Sequence, residues 1–344
     1  MASRITGATP RLSTRPEYPP AHLALRRGIF RILHLSLLYT LLAKMIAPCY
    51  AVLYDGVLAS RASSVLVSVL EGSTPWVQVE DVFFMVGLSY AVGASYVVGN
   101  GFFAFIERFE LLRQYKLSRT AAQTPSAELI RRTLLKEAFS HLVTGPVLML
   151  LVAGPGLRAV GPPVVISALP AWPTVWAQYA IQLVVNETMF YWGHRLLHTE
   201  YLYTRVHKQH HAYIGTISFA GEYAHVFEDV LTAYIPFLAG LFLTGAHFHL
   251  VFIWFFFRVL AVAEGHSGYC FRGTYADLLG LANASSSAHH DFHHTRNSGN
   301  FGSPMHDWLF GTMDLYLSIG GEEGYCAMAK SDLPARSGKG RRGE

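Results

Sequence analysis

Charged residues are scarce in this sequence. Asp, Glu, Lys and Arg make up 15% of the 344 residues, against roughly 25% in an average soluble domain. The formal net charge is only +4, and the basic residues form no long block, which argues against a nucleic-acid partner. Together with a hydrophobic fraction of 51%, this composition excludes a disordered chain and argues against a purely soluble protein.

Cysteine is also rare, with 3 residues in the chain. Cys49, Cys270 and Cys326 show no C-x-x-C spacing, so the sequence indicates neither a disulfide framework nor a thiolate zinc site. Two catalytic motifs are missing as well. Without H-E-x-x-H the sequence disfavours metal-dependent hydrolysis, and without a strand–G-x-G-x-x-G–helix pattern any redox chemistry needs a separate electron donor.

Long apolar stretches, by contrast, are abundant. We expect membrane-spanning helices at 32–54, 82–106, 136–154 and 175–193, followed by a short apolar hairpin or re-entrant pair at 230–263. The stretch 82–106 carries no charge and is rich in Gly and Ala, as helix packing in lipid favours. The predicted fold class is an all-α, multi-pass transmembrane helical protein.

The distribution of Lys and Arg predicts an orientation for these spans. With four spans and a hairpin, 22 of the 27 Lys and Arg residues fall on one side and only 2 on the other. Because the side richer in Lys and Arg faces the cytosol, we expect both termini and the segments 194–228 and 264–344 to be cytosolic.

Histidine is the residue type that stands out. Of the 17 histidines, 13 lie between His194 and His294. They form three motifs, H-x-x-x-H followed by two copies of H-x-x-H-H. On a helix the i, i+3 and i+4 positions share one side, so each motif can present its imidazoles together. The predicted ligands are His194, His198, His207, His210, His211, His290, His293 and His294.

Eight imidazoles point to a particular kind of metal site. Imidazole suits Fe, Zn, Cu and Ni, and eight ligands exceed the four of one tetrahedral zinc. Two metals with open positions would use them all. Since the orientation above places all three motifs on one side of the membrane, the sequence predicts a cytosolic, His-rich di-metal cap that activates O2.

These motifs resemble those of the fatty acid hydroxylase/sterol desaturase superfamily of membrane-bound di-iron oxygenases. The similarity covers roughly 85–318. Within that superfamily, further segments resemble the sterol C4-methyl monooxygenases: E-Y-A-H at 222–225 with Glu228, H-S-G-Y at 266–269, H-H-D-F-H-H at 289–294, D-W-L-F-G-T at 307–312, and Y-K-L at 115–117.

The resemblance implies a function and a set of cofactors. It implies oxidation of the C4-methyl group of sterol precursors by two non-haem iron ions and O2. Electrons would come from NAD(P)H through cytochrome b5 or its reductase, and the protein would reside in the endoplasmic reticulum membrane. We accordingly divide the chain into a polar tail (1–28), an N-terminal transmembrane region (29–173), a fatty acid hydroxylase-like catalytic domain (174–318) and a second polar tail (319–344).

Other residues are candidates for supporting roles. His225, His266 and His289 could be additional ligands or hydrogen-bonding neighbours of the ligands. Carboxylates often orient a ligand imidazole through its second ring nitrogen, and the candidates for this role are Glu187, Glu222, Glu228 and Asp291.

Two alternatives remain at the level of sequence. A sterol C5-desaturase or a fatty acid or sphingolipid hydroxylase would carry the same histidine motifs, although E-Y-A-H and H-S-G-Y argue modestly against both. A metal transporter with a His-rich cytosolic loop belongs to another class, and the absence of charge across 82–106 disfavours it.

Overall fold

The computed structural model describes residues 79–153, 170–271 and 284–328, with isolated positions outside these ranges. The predicted tail 1–28 and the residues from 329 onward lie outside the described residues, as do most of 32–54 and 154–169. Within the described ranges the chain is helical, and one isolated antiparallel bridge joins Lys116 to Tyr269. The predicted all-α class is confirmed.

The α-helices of the described residues follow one another in chain order. They are α1 (Val79–Arg108), α2 (Ala127–Phe139), α3 (Trp172–Leu197), α4 (Ile235–Thr244), α5 (Phe248–His266), α6 (Ala284–Arg296), α7 (Pro304–Phe310), α8 (Asp314–Ser318) and α9 (Gly321–Ala327), with short pieces at Gly145–Leu148, Glu200–Leu202 and Val226–Asp229. Single 3₁₀ turns lie at Arg113–Tyr115, Ala121–Gln123, His210–Ala212 and Ser218–Glu222.

Wider, π-helical turns interrupt several of these helices. They lie at Ser140–Thr144, Met149–Ala153, Tyr203–His207 and Val230–Tyr234. Two of them immediately precede a helical piece whose second residue is proline. These prolines are Pro146 and Pro236. Proline lacks an amide hydrogen and breaks the regular i→i−4 ladder, so the wide turn accommodates the break.

Four helical stretches are long and apolar enough to cross a membrane. They are Phe84–Arg108, Ala121–Leu151, Val226–Thr244 and His249–His266. These agree with the spans predicted at 82–106 and 136–154 and with the apolar hairpin, whose turn is Gly245 in the left-handed conformation at φ 56°. Large apolar side chains such as Tyr90, Val97 and Leu142 are exposed on these helices, as contact with lipid requires. The protein is thus a multi-pass membrane protein.

The predicted span at 175–193 has a different character. The helix α3 is present and has 26 residues, but it is not among the stretches that qualify by hydropathy. Gln178, Gln182 and Asn186 recur every four residues and are buried. The amide of Gln182 donates to the carbonyl oxygens of Pro236 and Phe237 at 3.1 and 2.8 Å. The helix is therefore polar on the face that packs against α4.

Small residues bring α1 and α5 together. Gly99 faces Ala263 and Leu260, where a Cβ atom would sit 3.1 Å from each side chain. One turn earlier, Ser95 Oγ donates to the Phe256 carbonyl oxygen at 2.5 Å. This close pairing, with the α3–α4 pairing beside it, encloses an apolar core and brings the last turns of α3 and α5 near α6.

Candidate metal centre

The three histidine motifs converge from four parts of the fold. His194 and His198 end α3, whereas His207 lies in a π-helical turn and His210 and His211 in a 3₁₀ turn. The third motif, 290–294, lies on α6. The second motif, 207–211, is helical but is not one regular α-helical turn, because the chain changes from a π turn to a 3₁₀ turn between its first and second histidines.

Nine histidines form two adjacent groups. The five-histidine set contains His194, His198, His207, His211 and His293, and the four-histidine set contains His210, His266, His290 and His294. In each set the candidate ligand atoms all lie within 4.8 Å of one another. The rings of His211 and His294 stack across the boundary at 4.7 Å, so the two sets share a wall.

Each H-x-x-H-H motif therefore divides between the two sets. His207 and His211 join the five-histidine set while His210 joins the other. On α6, His290 and His294 share a face and join the four-histidine set, and His293, one step around the helix, joins the five-histidine set. The i, i+4 pair of each motif stays within one set. For His290 and His294, which both lie on the regular helix α6, this follows from their shared helical face.

The nitrogen spacing matches a coordination shell. His207 Nε2 lies 3.0, 3.0 and 3.1 Å from the Nε2 atoms of His194, His198 and His211. In the other set, His290 Nε2 lies 2.9 Å from His266 Nε2 and 3.2 Å from His294 Nε2. With metal–nitrogen bonds of about 2.1 Å, two ligands at right angles are about 3.0 Å apart.

Backbone carbonyl groups fix the protons on the outer nitrogens. Nδ1 of His194 donates to the Phe301 carbonyl oxygen at 2.5 Å, and Nδ1 of His293 donates to that of Gly299 at 2.6 Å. His294 and His266 donate in the same way to other carbonyl oxygens, at 2.9 Å each. A carbonyl oxygen can only accept, so these rings keep hydrogen on Nδ1 and, when neutral, a bare lone pair on Nε2.

Burial keeps these imidazoles neutral. It holds the pKa of each histidine in the second and third motifs well below its ordinary value, and neighbouring histidines add to the effect. Lone pairs facing one another at about 3 Å repel unless a cation lies between them. The donor set thus fits two nitrogen-ligated metal ions, one in each set.

The additional histidines divide three ways. His266 belongs to the four-histidine set. His225 is exposed, and its Nδ1 accepts from the Phe227 amide at 3.1 Å as the N-cap of a short helix. His289 is buried and lies 3.5 Å from Asp307 Oδ2. Sequence reasoning left all three open, because only the packing of α5 against α6 brings His266 inward.

The four candidate carboxylates also differ in their contacts. Glu228 Oε1 lies 2.8 Å from His207 Nδ1, the outer nitrogen of that ring. Glu187 instead accepts from Arg258 at 2.8 Å, so the partner of this half-buried acid is the arginine of α5 and not the expected ligand imidazole. Glu222 lies beside Glu137, as described below.

Asp291, the fourth carboxylate, ties α6 to its surroundings. Its Oδ1 accepts from the amide and hydroxyl of Thr216 at 3.1 and 2.9 Å, and its Oδ2 accepts from the Tyr325 hydroxyl at 2.7 Å. Arg119 lies 3.3 Å from Oδ1. These contacts set the position of the helix that carries the third motif.

Sequence reasoning missed the role of Asp307. This fully buried carboxylate accepts from the amides of Phe301 and Gly302, both at 2.8 Å, and from the Thr312 hydroxyl at 2.5 Å. It thereby holds the loop whose carbonyl groups orient His194 and His293. The D-W-L-F-G segment was a signal for it, but without the fold nothing connected that segment to the histidines.

A cavity of about 290 Å³ opens beside the histidines. Its metal-facing end is lined by His194, His210, His266 and His290, and its apolar walls include Leu88, Val92, Met149, Phe237, Phe255 and Val259. The apolar residues come from helices that qualify as membrane spans. The cavity therefore joins the candidate metal centre to the membrane-embedded part of the protein.

Comparisons with known proteins agree with this site. Residues 179–312, which hold both histidine sets, match the family model described as fatty acid hydroxylase. Methylsterol monooxygenase 2-2 of Arabidopsis thaliana is 35% identical over 247 residues, covering 70% of this chain and 84% of the relative.

Two other relatives carry related or different names. One is the rice (Oryza sativa subsp. indica) protein named very-long-chain aldehyde decarbonylase GL1-11. It is 36% identical, and the match covers 60% of this chain and 76% of the rice protein. The C-4 methylsterol oxidase of Schizosaccharomyces pombe is 30% identical, and the match covers 40% of this chain and 47% of the yeast protein. No solved structure matches the chain. By its family model, its relatives and the two histidine sets at its centre, the chain belongs to the fatty acid hydroxylase family.

Proposed function

We propose that this protein is a methylsterol monooxygenase, an oxidoreductase that oxidises the C4-methyl group of a sterol precursor. The observation that carries the proposal is the cavity, which has metal-facing imidazoles at one end and apolar walls between membrane helices along the rest. A rigid, apolar substrate with its reactive methyl group near one polar end matches that arrangement. The relatives named methylsterol monooxygenase and C-4 methylsterol oxidase support this substrate class.

The five-histidine set and the four-histidine set would each hold one iron ion. When bound, the two irons supply the activation of O2 that oxidation of an unreactive C–H bond requires. The eight histidines of the three motifs and His266 would be the ligands. Electrons would come from NAD(P)H through cytochrome b5 or its reductase, because the sequence carries no dinucleotide-binding motif of its own.

The chain's own residues would orient the ligand imidazoles, hold the substrate and shield the reaction from water. The carbonyl groups of Gly299 and Phe301, with Glu228, keep the ligand rings turned so that their inner nitrogens face the metal. The apolar walls hold the lipid body and exclude water from the reaction. We place this catalytic unit at residues 174–318.

The proposed location is the endoplasmic reticulum membrane. Both histidine sets and both termini would face the cytosol, in keeping with the 22 Lys and Arg residues on that side. A sterol would then enter laterally from the bilayer, and the electron donor would approach from the cytosol.

Turnover by the purified protein tests the proposal. Protein in lipid nanodiscs, loaded with iron and supplied with O2 and an electron donor, should convert a 4,4-dimethyl sterol to 4-hydroxymethyl and 4-carboxy products. Alanine variants of His198, His211 and His294 should abolish turnover and lower iron content while the protein still inserts. The exposed His225→Ala variant is the matched control and should behave as the wild type.

A second substrate class enters the same assay. Very-long-chain aldehydes are included because rice relatives of 33–36% identity are named aldehyde decarbonylases. Shortening of an aldehyde with no sterol product would assign that activity instead. A C5-unsaturated sterol or a hydroxylated fatty acid as the sole product would likewise move the protein to another branch of the family.

A further inference from the structure

A cluster of ionisable side chains lines one wall of the cavity. Glu137, Glu222, Lys136, Asp229 and His141 all border it. Lys136 Nζ pairs with Asp229 Oδ2 at 2.8 Å, and His141 Nε2 lies 2.6 Å from Glu137 Oε1. Ionisable groups at membrane depth are costly and commonly mark functional sites, and neither histidine set accounts for this cluster.

One carboxyl oxygen of this cluster has no hydrogen-bond partner among the described contacts. Glu137 is only 3% exposed, and among the described contacts its Oε2 atom has no hydrogen-bond partner. An unsatisfied buried carboxylate oxygen is unfavourable by about 1–3 kcal/mol or more. Since Glu137 borders the cavity, a hydrogen-bond donor on a bound molecule would satisfy this oxygen.

Glu222 complements Glu137. Burial raises the pKa of Glu222 well above its ordinary value, and the charge of Glu137 and a hydrogen bond between the two carboxyl groups add to the effect. A protonated carboxyl group can donate a hydrogen bond, and the Oε2 atom of Glu137, which has no partner among the described contacts, can accept one. A donor beside an acceptor is the pair that an alcohol group, itself both donor and acceptor, would bind.

This pair lies next to the four-histidine set. A methyl group added at Gly221, the residue before Glu222, would overlap the ring of His266. His210, His266 and His290 border the same cavity. A hydroxyl group bound by the two glutamates would therefore place the carbon atoms beside it at the candidate metal centre.

We propose that Glu137 and Glu222 bind the hydroxyl group of the substrate and so select which carbon is oxidised. This inference rests on the proposed function. In a 4-methyl sterol the 3-hydroxyl group is on the ring carbon adjacent to the one that carries the methyl group. Holding that hydroxyl presents the C4-methyl group, and no other methyl of the sterol, to the metal-facing end of the cavity.

Binding to iron-free protein tests this without depending on turnover. Protein in phosphatidylcholine nanodiscs is titrated with 4,4-dimethyl sterol and with its 3-deoxy analogue, in the wild type and in Glu137→Gln. Glu128→Gln is the matched control, because Glu128 begins the same helix but pairs at the surface with Arg131 and Arg132. Iron uptake is measured for each variant to establish that the centre is intact.

The wild type should bind the hydroxylated sterol roughly tenfold more tightly than the 3-deoxy analogue, because the analogue leaves the buried oxygen of Glu137 unsatisfied. Glu137→Gln should reduce that ratio towards unity without changing affinity for the analogue or iron uptake, and Glu128→Gln should keep the wild-type ratio. With the iron-loaded protein, Glu137→Gln should raise KM for the hydroxylated sterol much more than it lowers kcat.

Several outcomes would overturn the proposal. Equal wild-type affinity for both sterols would do so even if the variant failed to fold. A Glu137→Gln variant that keeps the preference for the hydroxyl group, or that loses only kcat, would assign the cluster to proton transfer instead. Failure of the proposed function has a different signature: neither sterol binds or is oxidised, while another lipid is.

Discussion

Replacement of Asp307 by asparagine tests how the protein orients its metal-facing imidazoles. The carboxylate accepts two amide hydrogen bonds at 2.8 Å, from Phe301 and Gly302, on separate oxygen atoms. Asparagine has nearly the same shape but only one accepting oxygen. One amide therefore loses its acceptor or faces another donor, at a cost of about 1–3 kcal/mol.

Two measurable consequences follow. For a chain of 344 residues, such a loss lowers the thermal unfolding midpoint by roughly 1–4 °C. More specifically, the loop 299–302 loosens, and its carbonyl groups no longer fix the Nδ1 atoms of His194 and His293. Loss of such an outer contact typically weakens metal affinity about 10–100-fold, so Asp307→Asn should lose iron to a chelator at correspondingly lower chelator concentration.

The assay compares Asp307→Asn with Asp314→Asn in nanodiscs. Asp314 lies in the first turn of the neighbouring helix α8, and none of the described hydrogen bonds that hold the loop 299–302 involves it, so its variant should keep wild-type iron affinity. A chelator titration, followed by iron analysis, gives the affinity, and a thermal scan gives the stability. If Asp307→Asn lowers the unfolding midpoint yet holds iron as tightly as Asp314→Asn, the loop stabilises the fold without orienting the ligands, and the reasoning is refuted.

Three further predictions concern the site and the topology. His266→Ala should bind about half the iron of the wild type by metal analysis, because it opens only the four-histidine set, whereas equal iron in both would remove His266 from the ligands. A glycosylation acceptor engineered near Gly215 should stay unmodified in microsomes, since that segment is predicted to be cytosolic; glycan addition there would reverse the topology. The iron-free protein should lose stability as the pH falls below about 6.5. In that range the unfolded chain takes up protons that the buried histidines, with their lowered pKa, do not; a thermal midpoint independent of pH from 7 to 5 would contradict this.

The sequence by itself determined the helical class, most of the membrane spans and the eight motif histidines as neighbours. These features depend on local spacing. An apolar run of about 20 residues forms a spanning helix wherever it lies, and residues at i and i+4 share a helical face whatever packs against it. The i, i+4 pairs His194/His198 and His290/His294 accordingly stay within single sets.

Only the tertiary structure decided how those histidines divide and what surrounds them. The change from a π turn to a 3₁₀ turn separates His210 from His207, and the packing of α5 brings in His266 from a different motif. Arg258 rather than an imidazole pairs with Glu187, 71 residues away.

The contacts to the outer nitrogens of the ligand histidines were likewise decided only by the tertiary structure. Backbone carbonyl groups, which no motif encodes, hold His194 and His293 through a loop that Asp307 organises. The Glu137 oxygen that has no hydrogen-bond partner among the described residues lies where helices distant in the sequence enclose one cavity. Such relations depend on the relative placement of helices. Local spacing fixes the face that a side chain occupies but not the element that packs against it.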